Sequence, residues 1–212
     1  MAVAGVREET VVVILAAGKG TRMGNDQIVK VCFEIDGVPA INRQISVFKK
    51  ARISRFLLVV GDRAEQVLGA VAAEHPEALY VFQEPQMGTG HAARVAADAL
   101  KSIGYQGNVL VSTGDKLIEE EAIEALVDGF VKQQADMALL TVPKTRATQG
   151  SVGRVFIDSS GQALDIIEVA DRRRQAVVDE LRRQLEEGRS LSAETLKQTL
   201  DRHFPDLKKQ RR

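Results

Sequence analysis

The densest chemistry in the chain lies in one short stretch, Leu15-Ala16-Ala17-Gly18-Lys19-Gly20-Thr21-Arg22-Met23. Gly18 and Gly20 let the backbone approach an anion with no Cβ in the way, and their N–H groups can point at phosphate oxygens. Lys19 and Arg22 add positive charge, and Lys30 comes within reach of the same phosphates if the loop folds back over the end of a strand. The glycines form neither the Gly-x-x-x-x-Gly-Lys-Ser/Thr of a P-loop nor the Gly-x-Gly-x-x-Gly of a dinucleotide site. Further on, Ser112-Thr113-Gly114-Asp115 sets a carboxylate at the end of an apolar run. There it can hold Mg²⁺, with phosphate oxygens as the other ligands. Between the two, Gln83-Glu84-Pro85-Gln86-Met87-Gly88-Thr89-Gly90-His91-Ala92 joins an amide that both donates and accepts to a glycine that permits close approach of the backbone to a ligand. Taken singly, each stretch has a plainer reading: a strand-to-helix turn with solvated basic residues, a helix start capped by Thr89, and an aspartate in an ordinary turn.

The elements that must carry these residues are legible from periodicity. Thr10–Leu15 is a β-branched run without polar alternation, which suits a parallel strand buried on both faces at the centre of a sheet. Helical spacing over Ala40–Phe48 and a second apolar run over Arg55–Gly61 complete a βαβ unit. The alternation continues through a helix at Ala64–Ala73, a strand at Ala78–Phe82, a helix at His91–Leu100, a strand at Asn108–Ser112, a helix at Glu119–Gln134 and a strand at Asp136–Val142. Such alternation predicts an α/β fold, a Rossmann-like, doubly wound, mostly parallel sheet with ligands at the carboxyl ends of its strands. Arg154–Asp158, a Ser159-Ser160-Gly161 turn and Ala163–Glu168 predict a β-hairpin added to that sheet. From Asp171 to Arg212 the chain turns dense in Arg, Glu, Gln and helically spaced Leu, with Gly188-Arg189-Ser190 between two helices. The expected division is therefore a domain over 1–170 and a charged helical segment over 171–212.

Composition narrows the functional classes. With 212 residues, 44% of them hydrophobic, the chain can bury one substantial core. Its 29 Lys+Arg balance 29 Asp+Glu, so no overall field draws it to nucleic acid or to an anionic membrane. One cysteine forms no internal disulfide, and the N-terminus lacks a basic segment followed by a long apolar one, which leads us to expect a cytoplasmic protein. Apolar runs fall well short of the roughly 20 residues that span a bilayer. Cys32 has no histidine nearby to activate it, and His75 and His203 follow no metal-ligand spacing. There is no hexapeptide array of the kind that builds a β-helix.

Taken together and in order, the three motifs resemble the signature of the sugar nucleotidyltransferases, and among them most resemble the N-acetylglucosamine-1-phosphate uridylyltransferases. The resemblance covers roughly residues 10 to 170. It implies a nucleotide-diphospho-sugar transferase fold and the transfer of a nucleoside monophosphate from UTP to N-acetylglucosamine-1-phosphate with release of pyrophosphate. It further implies that Leu15, Ala16, Ala17, Gly18 and Gly20 cradle the nucleotide, that Gln83, Gly88 and Thr89 meet the base, and that Gly114 belongs to the same site. Arg22 would neutralise the leaving pyrophosphate, Lys30 would hold the α-phosphate and the sugar phosphate, and Asp115 would anchor Mg²⁺. Gly150-Ser151-Val152-Gly153-Arg154 and Ile166-Ile167-Glu168 resemble sugar-contacting segments of the family, which carries over Gly153 and Glu168. The chain departs from the pattern in four places. The Arg22–Lys30 interval holds an extra residue, Val29 stands where a proline usually precedes the lysine, Lys116 replaces a neutral residue, and the family's later Asn-x-Gly strand and metal-binding asparagine are absent. The departures fit a piece of a longer protein or a natural variant, and they keep open a second class, a module that holds a nucleotide or nucleotide sugar without turning it over. A dinucleotide-dependent oxidoreductase would place an acidic residue where Asp62 lies, but the glycine spacing argues against it.

Overall fold

The computed structural model describes residues 3–18, 28–143, 153–167 and 169–204, in two compact units, 1–140 and 141–212. The first unit runs α1 (Val3–Glu8), β1 (Thr10–Leu15), a 3₁₀ turn (Lys30–Cys32), β2 (Glu34–Ile35), β3 (Val38–Pro39), α2 (Ala40–Lys50), β4 (Arg55–Val60), α3 (Ala64–Ala72), β5 (Leu79–Phe82), α4 (Thr89–Ser102), β6 (Asn108–Thr113) and α5 (Glu120–Lys132). Its main sheet has the order β5-β4-β1-β6, and every pairing in it is parallel. The expected α/β alternation is thus present through α5.

Because successive side chains on a strand point to opposite faces, the apolar runs of β1 and β4 feed two cores at once. Val12, Ile14, Phe56, Leu58 and Val60 pack with Ile41, Ile45 and Phe48 of α2, Val67 and Val71 of α3, and Ile123 and Val127 of α5. Val11, Val13, Leu57 and Val59 face the other way, onto Ala92, Ala96 and Leu100 of α4. Small alanines such as Ala92 and Ala96 let α4 lie close to the sheet.

The chain winds outward from β1 through β4 to β5, then crosses back by α4 to place β6 on the other side of β1. The strand order therefore reverses between β1 and β6, whose last residues, Leu15 and Thr113, are paired in register. A crevice opens outside the carboxyl ends of the strands at such a reversal.

Two expectations are corrected. The segment 136–142, read as a further strand, carries no strand assignment. Its apolar residues Met137, Leu140 and Val142 are exposed. A β-propensity run becomes a strand only when a neighbour takes its N–H and C=O groups, and none does so here among the described residues. The hairpin forms, as β7 (Arg154–Ile157) and β8 (Ala163–Ile167), but it makes its own two-stranded sheet instead of extending the larger one. Its turn is closed by Asp158, whose Oδ1 accepts from the N–H groups of Ser160 at 2.8 Å and Gln162 at 2.9 Å, with Gly161 at φ +85°. The hairpin lies in the second unit together with α6 (Val169–Glu186) and α7 (Ala193–His203). Ser192 caps α7, its hydroxyl accepting from Thr195 N–H at 3.1 Å. Among the described residues no helix is long and apolar enough to cross a membrane.

Candidate active site

A cleft of about 560 Å³ opens at the strand reversal, lined by the ends of β1, β5 and β6, the start of α4 and the 3₁₀ turn. The strand ends stay laced together past the formal sheet: Ala16 N–H donates to Val59 O at 2.8 Å, Gln83 N–H to Val60 O at 2.8 Å, and Gly114 N–H to Leu15 O at 2.9 Å. Three sequence motifs far apart in the chain therefore share one floor. Leu15, Ala17, Gly18, Lys30, Gln83, Gly88, Thr89 and Asp115 all line it. Ala16 does not, being buried beneath the end of β1. Gly153 immediately precedes β7 in the second unit. Gly20, Arg22 and Glu168 lie outside the described residues.

The central charged feature is an ion pair between Lys30 Nζ and Asp115 Oδ2 at 2.5 Å. Lys30 is aimed by its neighbours, since Val29 and Val31 on either side are both 5% exposed and locked in the core. Val29 N–H also donates to Gln66 Oε1 of α3 at 2.8 Å. Asp115 sits one residue beyond Gly114, where a Cβ would lie 2.8 Å from Val31 Cγ1 and 3.2 Å from Leu15 O. Only glycine lets the turn after β6 settle this closely on the β1 loop. Burial alone would raise the Asp115 pKa, but hydrogen bonds from Lys30 and Thr113 and the charges of Lys30 and Lys116 hold it below its ordinary 3.8.

A carboxylate with a depressed pKa adds stability that is complete above its ordinary value and is lost as the pH falls through the depressed one. With side chains 44% and 29% exposed, the Lys30–Asp115 pair is worth less than about 1 kcal/mol. Asp115→Asn is thus expected to lower stability to urea slightly at neutral pH, and to have no such effect once wild-type Asp115 is itself protonated, well below pH 3.8. A deficit of the same size at both pH values would show that the pair does not act through charge.

At the other end of the cleft Gln83 is 3% exposed. Its Nε2 donates to Gly88 O at 3.1 Å and lies 3.1 Å from His91 Nδ1. A carbonyl oxygen can only accept, so the amide orientation follows, with Oε1 free of these bonds. Gly88 is the N-cap of α4 at φ +91°, a left-handed conformation that favours glycine. Thr89 is the first helical residue and not the cap, so its hydroxyl is not engaged in capping α4. His91 thus meets the same Gln83 amide that bonds to the Gly88 carbonyl. His75 is buried 2.8 Å from Lys49 Nζ, and His203 pairs with Glu180 at 2.8 Å. Burial pushes the Cys32 thiol up to about 11, which keeps it protonated and a poor nucleophile.

Sequence reasoning missed the residues that hold the charged pair in place. Gln66 fixes the backbone before Lys30, and Gln44 of α2 bonds to the turn that carries Asp115. The available signal was a glutamine at helical spacing from Ile41 and Phe48, on what is otherwise an apolar face. Lys116 also lines the cleft, so its departure from the family pattern adds a cation beside Asp115.

The chain matches the model of the MobA-like NTP transferase domain over residues 12–201, a span that continues past the last recognisable motif near residue 170. It is 40% identical over 162 residues to the bifunctional protein GlmU of Synechococcus sp., covering 76% of this chain and 34% of that protein. It is 34% identical over 160 residues to the GlmU of Geotalea daltonii, covering 75% and 34%. The chain thus spans about a third of the length of these curated relatives. Crystal structures of HddC from Yersinia pseudotuberculosis, one of them complexed with GMP-PN, share the fold with TM-scores of 0.53 and 0.51 at 19% and 20% identity, over 74% of this chain and 68% of theirs. With the parallel sheet, its strand reversal and the cleft at that reversal already in place, the family match over most of the chain means that this protein belongs to the MobA-like NTP transferase domain family.

Proposed function

We propose that this chain is a nucleotidyltransferase that transfers uridine monophosphate from UTP to N-acetylglucosamine-1-phosphate and releases pyrophosphate. The observation that carries the reading is the Lys30–Asp115 pair at 2.5 Å in the floor of a cleft at the strand reversal. An oxygen of the sugar phosphate attacks the α-phosphorus of UTP as the bond from that phosphorus to the β-phosphate bridge breaks, and the electron pair leaves with pyrophosphate. The attacking oxygen is already ionised, so positioning and charge neutralisation suffice and no general base is needed.

In this reading Lys30 swings from Asp115 to the α-phosphate and sugar phosphate, Arg22 neutralises the leaving pyrophosphate, and the backbone of Leu15 to Gly20 cradles the triphosphate. The donor set suits Mg²⁺, because Asp115 offers one hard, ionised oxygen beside a cleft into which phosphates bring the rest. Asp115 would hold the ion, which would supply charge neutralisation at the phosphates. Gly153 and Glu168 are assigned to the sugar on the family resemblance.

Support for uridine comes from Gln83. With its amide hydrogens directed at Gly88 O and His91 Nδ1, the remaining Oε1 accepts from the N3–H of uracil and meets only an acceptor at N3 of cytosine. UTP is expected to stabilise the protein most among UTP, dTTP, GTP and CTP, by about 2.7 kcal/mol at a hundred times its dissociation constant. Equal shifts for all four would remove the uridine assignment. Gln83→Ala is expected to weaken UTP roughly tenfold, the equivalent of one good hydrogen bond, while CTP binding changes little. Pyrophosphate release in the presence of UTP, Mg²⁺ and N-acetylglucosamine-1-phosphate tests the transfer itself. Nucleotide binding without release would leave a non-catalytic nucleotide-binding module.

A further inference from the structure

We infer that Gln44 is a positioning residue for Asp115, and through it sets the affinity of the cleft for its cation; the inference rests on the reading above. Gln44 lies on α2, is 1% exposed, and belongs to the helix face that otherwise supplies Ile41, Ile45 and Phe48 to the core. Leucine would fill that place without the penalty of burying an amide. The amide instead reaches across to a single turn: Nε2 lies 2.8 Å from Ser112 Oγ, 3.1 Å from Thr113 O and 2.9 Å from Lys116 O, three acceptors that share its two hydrogens. These acceptors bracket Asp115 on both sides. The two carbonyls fix the orientation of the amide, since Oε1 could not face them.

The arrangement answers a need of the proposed reaction. Asp115 is tied to Lys30, yet Lys30 must leave for the phosphates when substrate enters. The turn therefore requires anchors that stay behind. Gly114 N–H on Leu15 O is one, and Gln44 is the side-chain anchor. Residues that orient a metal ligand from behind typically change metal affinity by about 10–100-fold when altered.

The test compares Gln44→Met, which keeps the bulk and removes the donors, with Ile45→Val, a neighbouring core change that removes no hydrogen-bonding group. Both should lower thermal stability. Only Gln44→Met is expected to speed amide hydrogen exchange over residues 113–116, and to raise the Mg²⁺ concentration needed for half-maximal UTP stabilisation by about tenfold or more, with KM for the sugar phosphate little changed. Gln44→Met behaving like Ile45→Val in both readouts overturns the inference. Faster exchange with an unchanged Mg²⁺ requirement also overturns it, leaving Gln44 a core residue only. Wild-type protein that neither binds UTP nor releases pyrophosphate would sink the proposed function; exchange and Mn²⁺ binding followed by EPR would still decide the role of Gln44. If Gln44→Met fails to fold, Gln44→Asn draws the amide back by one methylene from all three acceptors and should move both readouts the same way, and no movement there overturns the inference.

Discussion

Asp115→Asn is expected to lower kcat/KM for pyrophosphate release by about 10²–10³-fold, the loss typical when one preorganised electrostatic group is removed from a reaction centre. The asparagine keeps the shape of the side chain and its place on the turn, so the fold should survive. What disappears is the negative charge, which in the proposed reaction anchors the cation and, before substrate arrives, holds Lys30 Nζ at 2.5 Å. UTP affinity measured without Mg²⁺ should hold steady or rise, because the freed lysine meets the triphosphate with no carboxylate to leave. The opposite changes in binding and turnover distinguish this outcome from simple damage. Lys30→Met should also slow release, and the double variant should lose less than the sum of the two, because the residues are in direct contact. An Asp115→Asn protein with the wild-type rate would remove Asp115 from the chemistry.

Gly114→Val should have the next largest effect, and for a different reason. The added Cβ meets Val31 Cγ1 at 2.8 Å, Leu15 O at 3.2 Å and Ile14 Cγ2 at 3.4 Å. One of these neighbours is backbone and cannot rotate away, so the turn must lift from the β1 loop. Overpacking of this kind costs about 1–3 kcal/mol, readable as a lower urea midpoint. Activity should fall further than stability explains, since Val31 adjoins Lys30 and Gly114 adjoins Asp115, and the two charges are pushed apart together. Gly114→Ala should show the same pattern more weakly. A Gly114→Val variant with normal stability and turnover would mean that the close approach has no part in the site.

What the chain reveals before folding follows from how local each signal is. The apolar runs at Thr10–Leu15 and Arg55–Val60 are buried on both sides, so their lack of alternation was enough to mark them as strands of a parallel sheet. The alanines of α4 similarly announce a helix pressed on a sheet. Met137 to Val142 carries the same kind of run but has no partner strand among the described residues, and partners are not written in a segment's own composition. The cleft shows the same divide. Gly18, Lys30, Gln83, Thr89 and Asp115 stand in compact motifs and were legible. Gln44 and Gln66 act across 68 and 37 residues respectively, and nothing near them in the sequence says what they hold.

Gln66 also makes sense of one departure from the family pattern. Where a proline usually precedes the lysine, this chain has Val29, whose N–H donates to Gln66 Oε1; proline has no N–H to give. Positions 29 and 66 are thus joined by a hydrogen bond that a proline at 29 could not make. Restoring the proline alone would remove the donor from Gln66 and gain a stiffer backbone, with no net benefit assured by the more familiar sequence. The effect of Val29→Pro depends on what stands at 66, so a motif scored one position at a time undervalues this loop.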